Sequence, residues 1–172
     1  MIDAGPFGAW LDDVRAAVRG ERDAVVPCGE CTGCCTSAQF VHVAADETDA
    51  LSHIPAELLF AAPGFPDGHV LMGYDEHGHC PMLVDGRCSI YEHRPRTCRT
   101  YDCRVFAAAD VVPDAPAIAA RVAEWQFAYA DPGDEQAHAA VREAAREVTG
   151  AVNATERALR AVMSTCQQHN TP

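Results

Sequence analysis

No lysine occurs in the 172 residues; all 13 basic side chains are arginines. Schiff-base chemistry, which needs a primary amine, and a nucleotide-binding P-loop, which needs its lysine, are both excluded. Basic residues are also few, 13 against 25 acidic, giving a formal charge of −12. So acidic a surface repels phosphate backbones and anionic headgroups, so neither nucleic acid nor a membrane is expected as a partner. No apolar run approaches the ~20 residues of a bilayer-spanning helix. Residues 1–8 have neither the basic start nor the apolar stretch of a secretory signal, and a cytoplasmic protein is expected. Gly-x-Gly-x-x-Gly, Gly-x-Ser-x-Gly and His-Glu-x-x-His are all absent from the chain. Nor is there room for a separate nucleotide-binding domain.

Cysteine, in contrast, is plentiful. Eight of the nine cysteines fall into two clusters, Cys28-x2-Cys31-x2-Cys34-Cys35 and Cys80-x7-Cys88-x9-Cys98-x4-Cys103. A disulfide framework suits small secreted domains, but this chain shows no secretory signal and is long enough to bury a core without staples. Thiolates spaced two residues apart around glycine instead curl round one soft centre, as zinc and iron–sulfur sites require. All eight, Cys28, Cys31, Cys34, Cys35, Cys80, Cys88, Cys98 and Cys103, are candidate metal ligands. The side chains of Cys34 and Cys35 are expected to diverge, Cys34 sharing a centre with Cys28 and Cys31, and Cys35 joining the second cluster.

By count, two four-cysteine zinc sites and two 4Fe–4S clusters are equally satisfied. The run Cys28-x2-Cys31-x2-Cys34 matches bacterial ferredoxins, and Cys80-Pro81 is similar to the Cys-Pro that completes their pattern. Zinc ribbons repeat Cys-x2-Cys pairs, and only the first cluster holds one. The spacing therefore favours iron–sulfur over zinc, with mixed occupancy open. Five arginines, Arg87, Arg94, Arg96, Arg99 and Arg104, accompany the second cluster. They either compensate an anionic centre or clamp an anionic substrate or cofactor carboxylate, with Arg94 and Arg99 the cofactor-binding candidates. His77, His79 and His93 read as loop histidines, His79 being the best substitute ligand. Tyr74, Tyr91 and Tyr101 are expected to pack the shell of the second cluster. Glu30 is expected to be solvated, and Cys166 to be a small buried apolar residue.

The fold expected is α+β: one domain over 1–172, with a metal-organised core of short strands and hairpins at about 21–106. An amphipathic helix over 6–20, with Trp10, Leu11, Val14 and Val18 on one face, precedes it. Strands are expected at 40–43, 70–72, 80–84 and 87–90, with Asp85-Gly86 as a hairpin turn, and a helix capped by Asp46 through His53. Another turn of helix is expected over 55–60. A helix started at Arg94-Pro95 would carry Cys98 and Cys103, which point apart unless it breaks between them. The C-terminal extension, 113–168, reads as a helix over 116–129 and a long helix from Glu135 to about Gln168. Its stripe of Val141, Ala145, Val148, Val152, Leu159 and Val162 either packs on the core or forms a dimer seam.

The combined pattern of Cys28, Cys31, Cys34 and Cys35, then Cys80, Pro81 and Leu83, then Cys88-Ser89-Ile90-Tyr91-Glu92-x-Arg94-Pro95-x2-Cys98-Arg99-x3-Cys103, resembles the YkgJ-type cysteine-cluster family. Its members are described as zinc- or iron-chelating, and the resemblance covers about residues 27–104. It implies a metal site more securely than a reaction. One branch is similar to a bacterial flagellin lysine methylase that carries an iron–sulfur centre and uses S-adenosylmethionine. Three functions follow: an iron–sulfur oxidoreductase or S-adenosylmethionine-using transferase acting on a small molecule or peptide, an electron-transfer module with a redox partner, or a structural zinc-binding interaction module.

Overall fold

The computed structural model describes residues 1–164, so Cys166 lies outside the described residues. In chain order the elements are β1 (Ile2–Pro6), α1 (Phe7–Val18), β2 (Val41–Val43), α2 (Thr48–His53), β3 (Leu59–Ala61), β4 (Val70–Met72) and β5 (Leu83–Val84). They continue as β6 (Arg87–Cys88), α3 (Arg96–Thr100), α4 (Arg104–Ala109), α5 (Pro116–Val122), β7 (Trp125–Ala128), α6 (Pro132–Glu147) and α7 (Ala154–Ser164). The class is α+β. Two compact units form: Met1–Pro27 with the chain from Asp102 onward, and Cys28–Tyr101. No helix among the described residues is long and apolar enough to cross a membrane.

In the terminal unit, β1 and β7 pair in parallel, Ile2 opposite Trp125 and Pro6 opposite Ala128, with a bulge between Asp3 and Gly5. Gly5 holds φ +86°, a conformation glycine adopts at no steric cost. Neither strand was expected. Residues 116–129 read as one helix, but the helix stops at Val122 and Trp125-Gln126-Phe127-Ala128 pairs with β1. A strand this short takes its stability from a partner more than a hundred residues away, which local periodicity does not report.

α1 buries Phe7, Trp10, Leu11, Val14 and Ala17, while Val18 turns outward, 42% exposed. Phe7 stacks on His138 at 4.2 Å between ring centroids, and Phe127 packs against both Phe7 and Trp10. Gly8 lets α1 approach α6, since a Cβ there would collide with the Asp134 carboxylate. The expected long C-terminal helix is two. α6 starts early because Asp131 caps it, accepting from the Gly133 and Asp134 amides. It ends at Val148, and Gly150 takes φ +67°. Asn153 then accepts from the Glu156 amide while Glu156 accepts from Val152, a reciprocal cap that starts α7. Val141, Ala145 and Val162 of the expected stripe are buried in this unit's core, whereas Val152 is exposed. Arg15 and Arg157 donate to the Val162 and Ala145 carbonyls, tying α1 to α7 and α7 to α6.

A buried ion pair of this unit centres on Asp102. Its carboxylate accepts from Trp10 Nε1 at 2.9 Å and from the Arg104 guanidinium at 2.7 Å, and Arg104 also donates to the Ala4 and Val25 carbonyls. Arg104 is thus committed to this network.

In the unit 28–101, β2, β4 and β3 form an antiparallel sheet in that order, and β5 and β6 a hairpin. The hairpin turn is the expected Asp85-Gly86, both at positive φ. Residues 55–60 give one 3-10 turn, Ala56–Leu58, and then β3 instead of more helix. Asp46 does not cap α2. It pairs with Arg96, while Glu47 accepts from the Ala44 and Arg96 amides and so fixes α3 beside α2. The helix of the second cluster breaks after Thr100, so α3 carries Cys98 and Cys103 falls at the start of α4 in the other unit.

Two stability effects are expected. Asp102→Ala strands the buried Arg104 charge and should lower unfolding stability by about 3–5 kcal/mol in chemical denaturation. Burial, with the Arg142 guanidinium beside it, pushes His138 down from 6.5 to about 4. The unfolded chain therefore binds the extra proton first: this contribution is complete above pH 6.5 and is lost as the pH falls towards 4, by at most about 3 kcal/mol. Denaturation midpoints measured across that window should show a shallower acid limb in His138→Phe.

Candidate metal centre

Two backbone bridges bring the cysteine loops together. Ala38 N donates to Gly78 O at 2.8 Å, and Cys80 N donates to Cys35 O at 2.7 Å. Asp75 shapes the incoming loop by accepting from the His77 and His79 amides. The β5–β6 hairpin then sets Cys88 opposite Leu83, and Leu83 N bonds back to Cys80 O. Cys98 comes from α3, held to β2 by Thr97 Oγ1 donating to His42 O. Cys80, Cys88 and Cys98 lie half-buried against a core of Val41, Val43, Ala50, Ile54, Met72, Met82 and Ile90.

Cys34 and Cys35 do not diverge. Both sit on the 3-10 turn Gly33–Thr36, and the Cys35 thiol donates to the Cys34 sulfur. That hydrogen bond, helped by backbone amides and Arg94, lowers Cys34 to about 6. It raises Cys35, as do burial and the neighbouring thiolates of Cys34, Cys80 and Cys88. Burial first, then Cys80, Cys34 and Cys88, pushes Cys98 up to about 12. Cys80 is raised by burial and by Cys88 and Cys34. Five sulfurs from four segments, Cys34, Cys35, Cys80, Cys88 and Cys98, thus share one electrostatic neighbourhood.

The remaining expected ligands are placed differently. Cys28 and Cys31 bound a tight turn, with Cys31 N on Cys28 O, and Cys31 Sγ accepts from Gly33 N at 3.4 Å. Cys103, in the other unit, is buried and its sulfur accepts from Trp125 Nε1 at 3.2 Å. Among the described residues no three cysteine sulfurs lie within 4.8 Å of one another. None of the eight described cysteines is in a disulfide.

Arg94 is the guanidinium nearest in effect, lowering both Cys34 and Cys98. It stacks 3.5 Å over Tyr91 and donates to the Tyr91 carbonyl, and Arg99 Nε donates to the Arg94 carbonyl. Tyr91 is therefore 56% exposed as Arg94's platform instead of packing a sulfur shell. Tyr74 packs on Phe40 and Tyr101 is half-buried. Glu30 and His77 are exposed, and His79 is half-buried. His93 meets Asp49, a contact that no local pattern signals because the two lie 44 residues apart.

The donor set fits a thiophilic metal. Soft sulfurs converge on a dry floor beside one cation, yet burial and mutual repulsion keep most of them protonated. A metal ion replaces those protons, so its affinity must rise with pH. In metal-free protein at pH 7, iodoacetamide should label Cys34 on the order of a hundred times faster than Cys98. Peptide mapping by mass spectrometry checks this, and Cys35→Ala, which removes the donor, should slow Cys34 labelling several-fold.

A family model described as CxxCxxCC, "Putative zinc- or iron-chelating domain", matches residues 27–115, just over half of the chain. No curated protein and no solved structure matches. The matched segment contains both cysteine clusters and the loops, hairpin and helix that carry them. The chain belongs to the CxxCxxCC cysteine-cluster family.

Proposed function

We propose that this protein is an iron–sulfur protein of the 4Fe–4S type with a redox or metal-centred catalytic role. The observation carrying this reading is the spread of the sulfurs. A tetrahedral zinc with bonds of ~2.3 Å needs its sulfurs about 3.8 Å apart. Here five thiols share one neighbourhood, but no three lie within 4.8 Å among the described residues. A polynuclear cluster holds its cysteines wider apart than a single ion does, and takes them from separate segments as this fold offers them.

Cys35, Cys80, Cys88 and Cys98 would hold the centre, one thiolate per iron, with Cys34 beside Cys35 and with Cys28 and Cys31 on the preceding turn. When bound, such a cluster supplies one-electron transfer or, at an iron lacking a protein thiolate, a coordination position for substrate. The chain's own part is to desolvate the thiols on the Met82 and Ile90 floor and to place Arg94 beside them, which favours the reduced, more anionic state less than a second arginine would and more than none. Arg94, Arg96 and Arg99 line a pocket of about 290 Å³ together with Asp46, Glu47, Asp49 and Glu92. With Arg96 paired to Asp46, it is Arg94 and Arg99 that would meet a carboxylate of a small molecule or peptide. A reducing, cytoplasmic setting would keep the cysteines available as metal ligands. The acidic surface argues against nucleic acid and membranes as partners.

Anaerobically purified protein should be brown and contain iron and acid-labile sulfide. Cys35→Ser and Cys98→Ser should lose both together, and Cys166→Ser should lose neither. Zinc without iron would overturn the proposal in favour of a structural zinc-binding interaction module. An intact, reversibly reducible cluster that binds no small ligand would instead identify an electron-transfer partner.

A further inference from the structure

Away from the thiols, the unit 28–101 holds a second convergence of donor atoms. Asp49 and His53 are four residues apart on α2, hence on one face of the helix. The 3-10 turn Tyr91–His93 lays His93 against that face, its ring stacked on His53 at 3.6 Å between centroids and 5° between planes. His93 Nδ1 is 3.0 Å from Asp49 Oδ2, and His53 Nδ1 is 3.7 Å from Asp49 Oδ1. One donor atom from each of the three lies within 4.8 Å of the other two.

We propose that Asp49, His53 and His93 form a mononuclear site for a divalent transition metal of zinc type, separate from the cysteine centre and independent of which metal that centre takes. Two imidazoles and one carboxylate are the donor set of catalytic zinc sites, whose fourth position goes to water or substrate. Ligands ~2.0–2.1 Å from a tetrahedral zinc lie about 3.3 Å from one another. The single oxygen Asp49 Oδ1 is 3.2 Å from His93 Nδ1 and 3.7 Å from His53 Nδ1. Binding therefore needs the two partly exposed rings to turn out of their parallel stack but little movement of the donor atoms. In the metal-free chain His53 Nδ1 donates to the Asp49 carbonyl at 2.9 Å, a hydrogen bond that metal bound at that nitrogen replaces. Asp49 also borders the pocket lined by Arg94, Arg96, Arg99, Asp46, Glu47 and Glu92, which leaves space beside it for the water of the fourth position.

The set differs in kind from the thiols. Nitrogen and oxygen donors accept zinc, cobalt and nickel without the sulfur preference of the cysteine centre, so the two sites can be filled and read separately. The partly exposed setting of the trio gives metal a direct route in from solvent, with His53 and His93 side chains 39% and 40% exposed.

The test is titration of the full chain, as isolated with its cysteine centre filled, with cobalt(II). Calorimetry gives the stoichiometry and absorption spectroscopy the ligand type. One equivalent should bind without sulfur-to-cobalt charge transfer and without displacing the metal already present. His93→Ala and Asp49→Ala should each weaken that binding at least about 100-fold, while His77→Ala, an exposed histidine outside the trio, leaves it unchanged. Far-ultraviolet circular dichroism and the metal content of the cysteine centre verify that the variants fold; should Asp49→Ala fail that check, His93→Ala alone decides. Cobalt bound with a sulfur charge-transfer band, equal binding by wild type and His93→Ala, or no saturable binding would each overturn the proposal. The iron and sulfide content of the same samples reads the cysteine centre separately, so failure of one reading is not failure of the other.

Discussion

Thiolates repel one another, and the unit 28–101 gathers five sulfurs, three of them (Cys80, Cys88 and Cys98) against an apolar floor where that repulsion is poorly screened. The rest of the unit follows from managing this conflict. In the metal-free chain it is eased in two ways: protons stay on the more buried sulfurs, and the one low-pKa sulfur, Cys34, is steadied by the Cys35 thiol and Arg94. A multivalent cation relieves the same repulsion more completely, which couples metal binding to the fold of the loops that carry the ligands. The sheet, the hairpin and α3 together give this region only a modest apolar core, so the sulfurs and their charge partner belong to its architecture as much as to its chemistry.

The arginines show how a single residue type is divided among tasks. Arg94 faces the thiols, Arg96 pairs with Asp46 at the surface, and Arg104 neutralises Asp102 inside the terminal unit. Arginine suits all three because its planar fork satisfies a carboxylate, stacks on an aromatic ring and reaches backbone carbonyls at once. Arg94 does the last two, over the Tyr91 ring and to the Tyr91 carbonyl. Proximity in sequence to the second cluster is thus a poor guide to which arginine serves it: Arg104 follows Cys103 directly and yet serves Asp102.

The terminal unit depends on long-range pairing in the same way. Its two-stranded sheet joins residue 2 to residue 125, and its buried charges join Trp10, Asp102 and Arg104. A buried ion pair is specific in geometry because each member is costly unless the other is in place. The aromatic stack of Phe7, Trp10, Phe127 and His138 adds a packed layer to which α1, β7 and α6 all contribute.

The sequence by itself determined the metal-binding class, the eight candidate thiols, the α1 and β4 segments and the Asp85-Gly86 turn, because these rest on residue chemistry or on patterns a few residues long. It also carried unused signals: Asp131-Pro132 as the start of α6, and Asn153 with Glu156 as the start of α7, are local caps. Only the tertiary structure decided that β1 and β7 are strands, that Cys34 and Cys35 face the same set of sulfurs, that Arg104 is a buried partner of Asp102, and that His93 meets Asp49 and His53. Each of those depends on a contact between segments far apart along the chain, where the energy of an element or a site comes from its partner. Such a partner leaves no mark on the residues beside it.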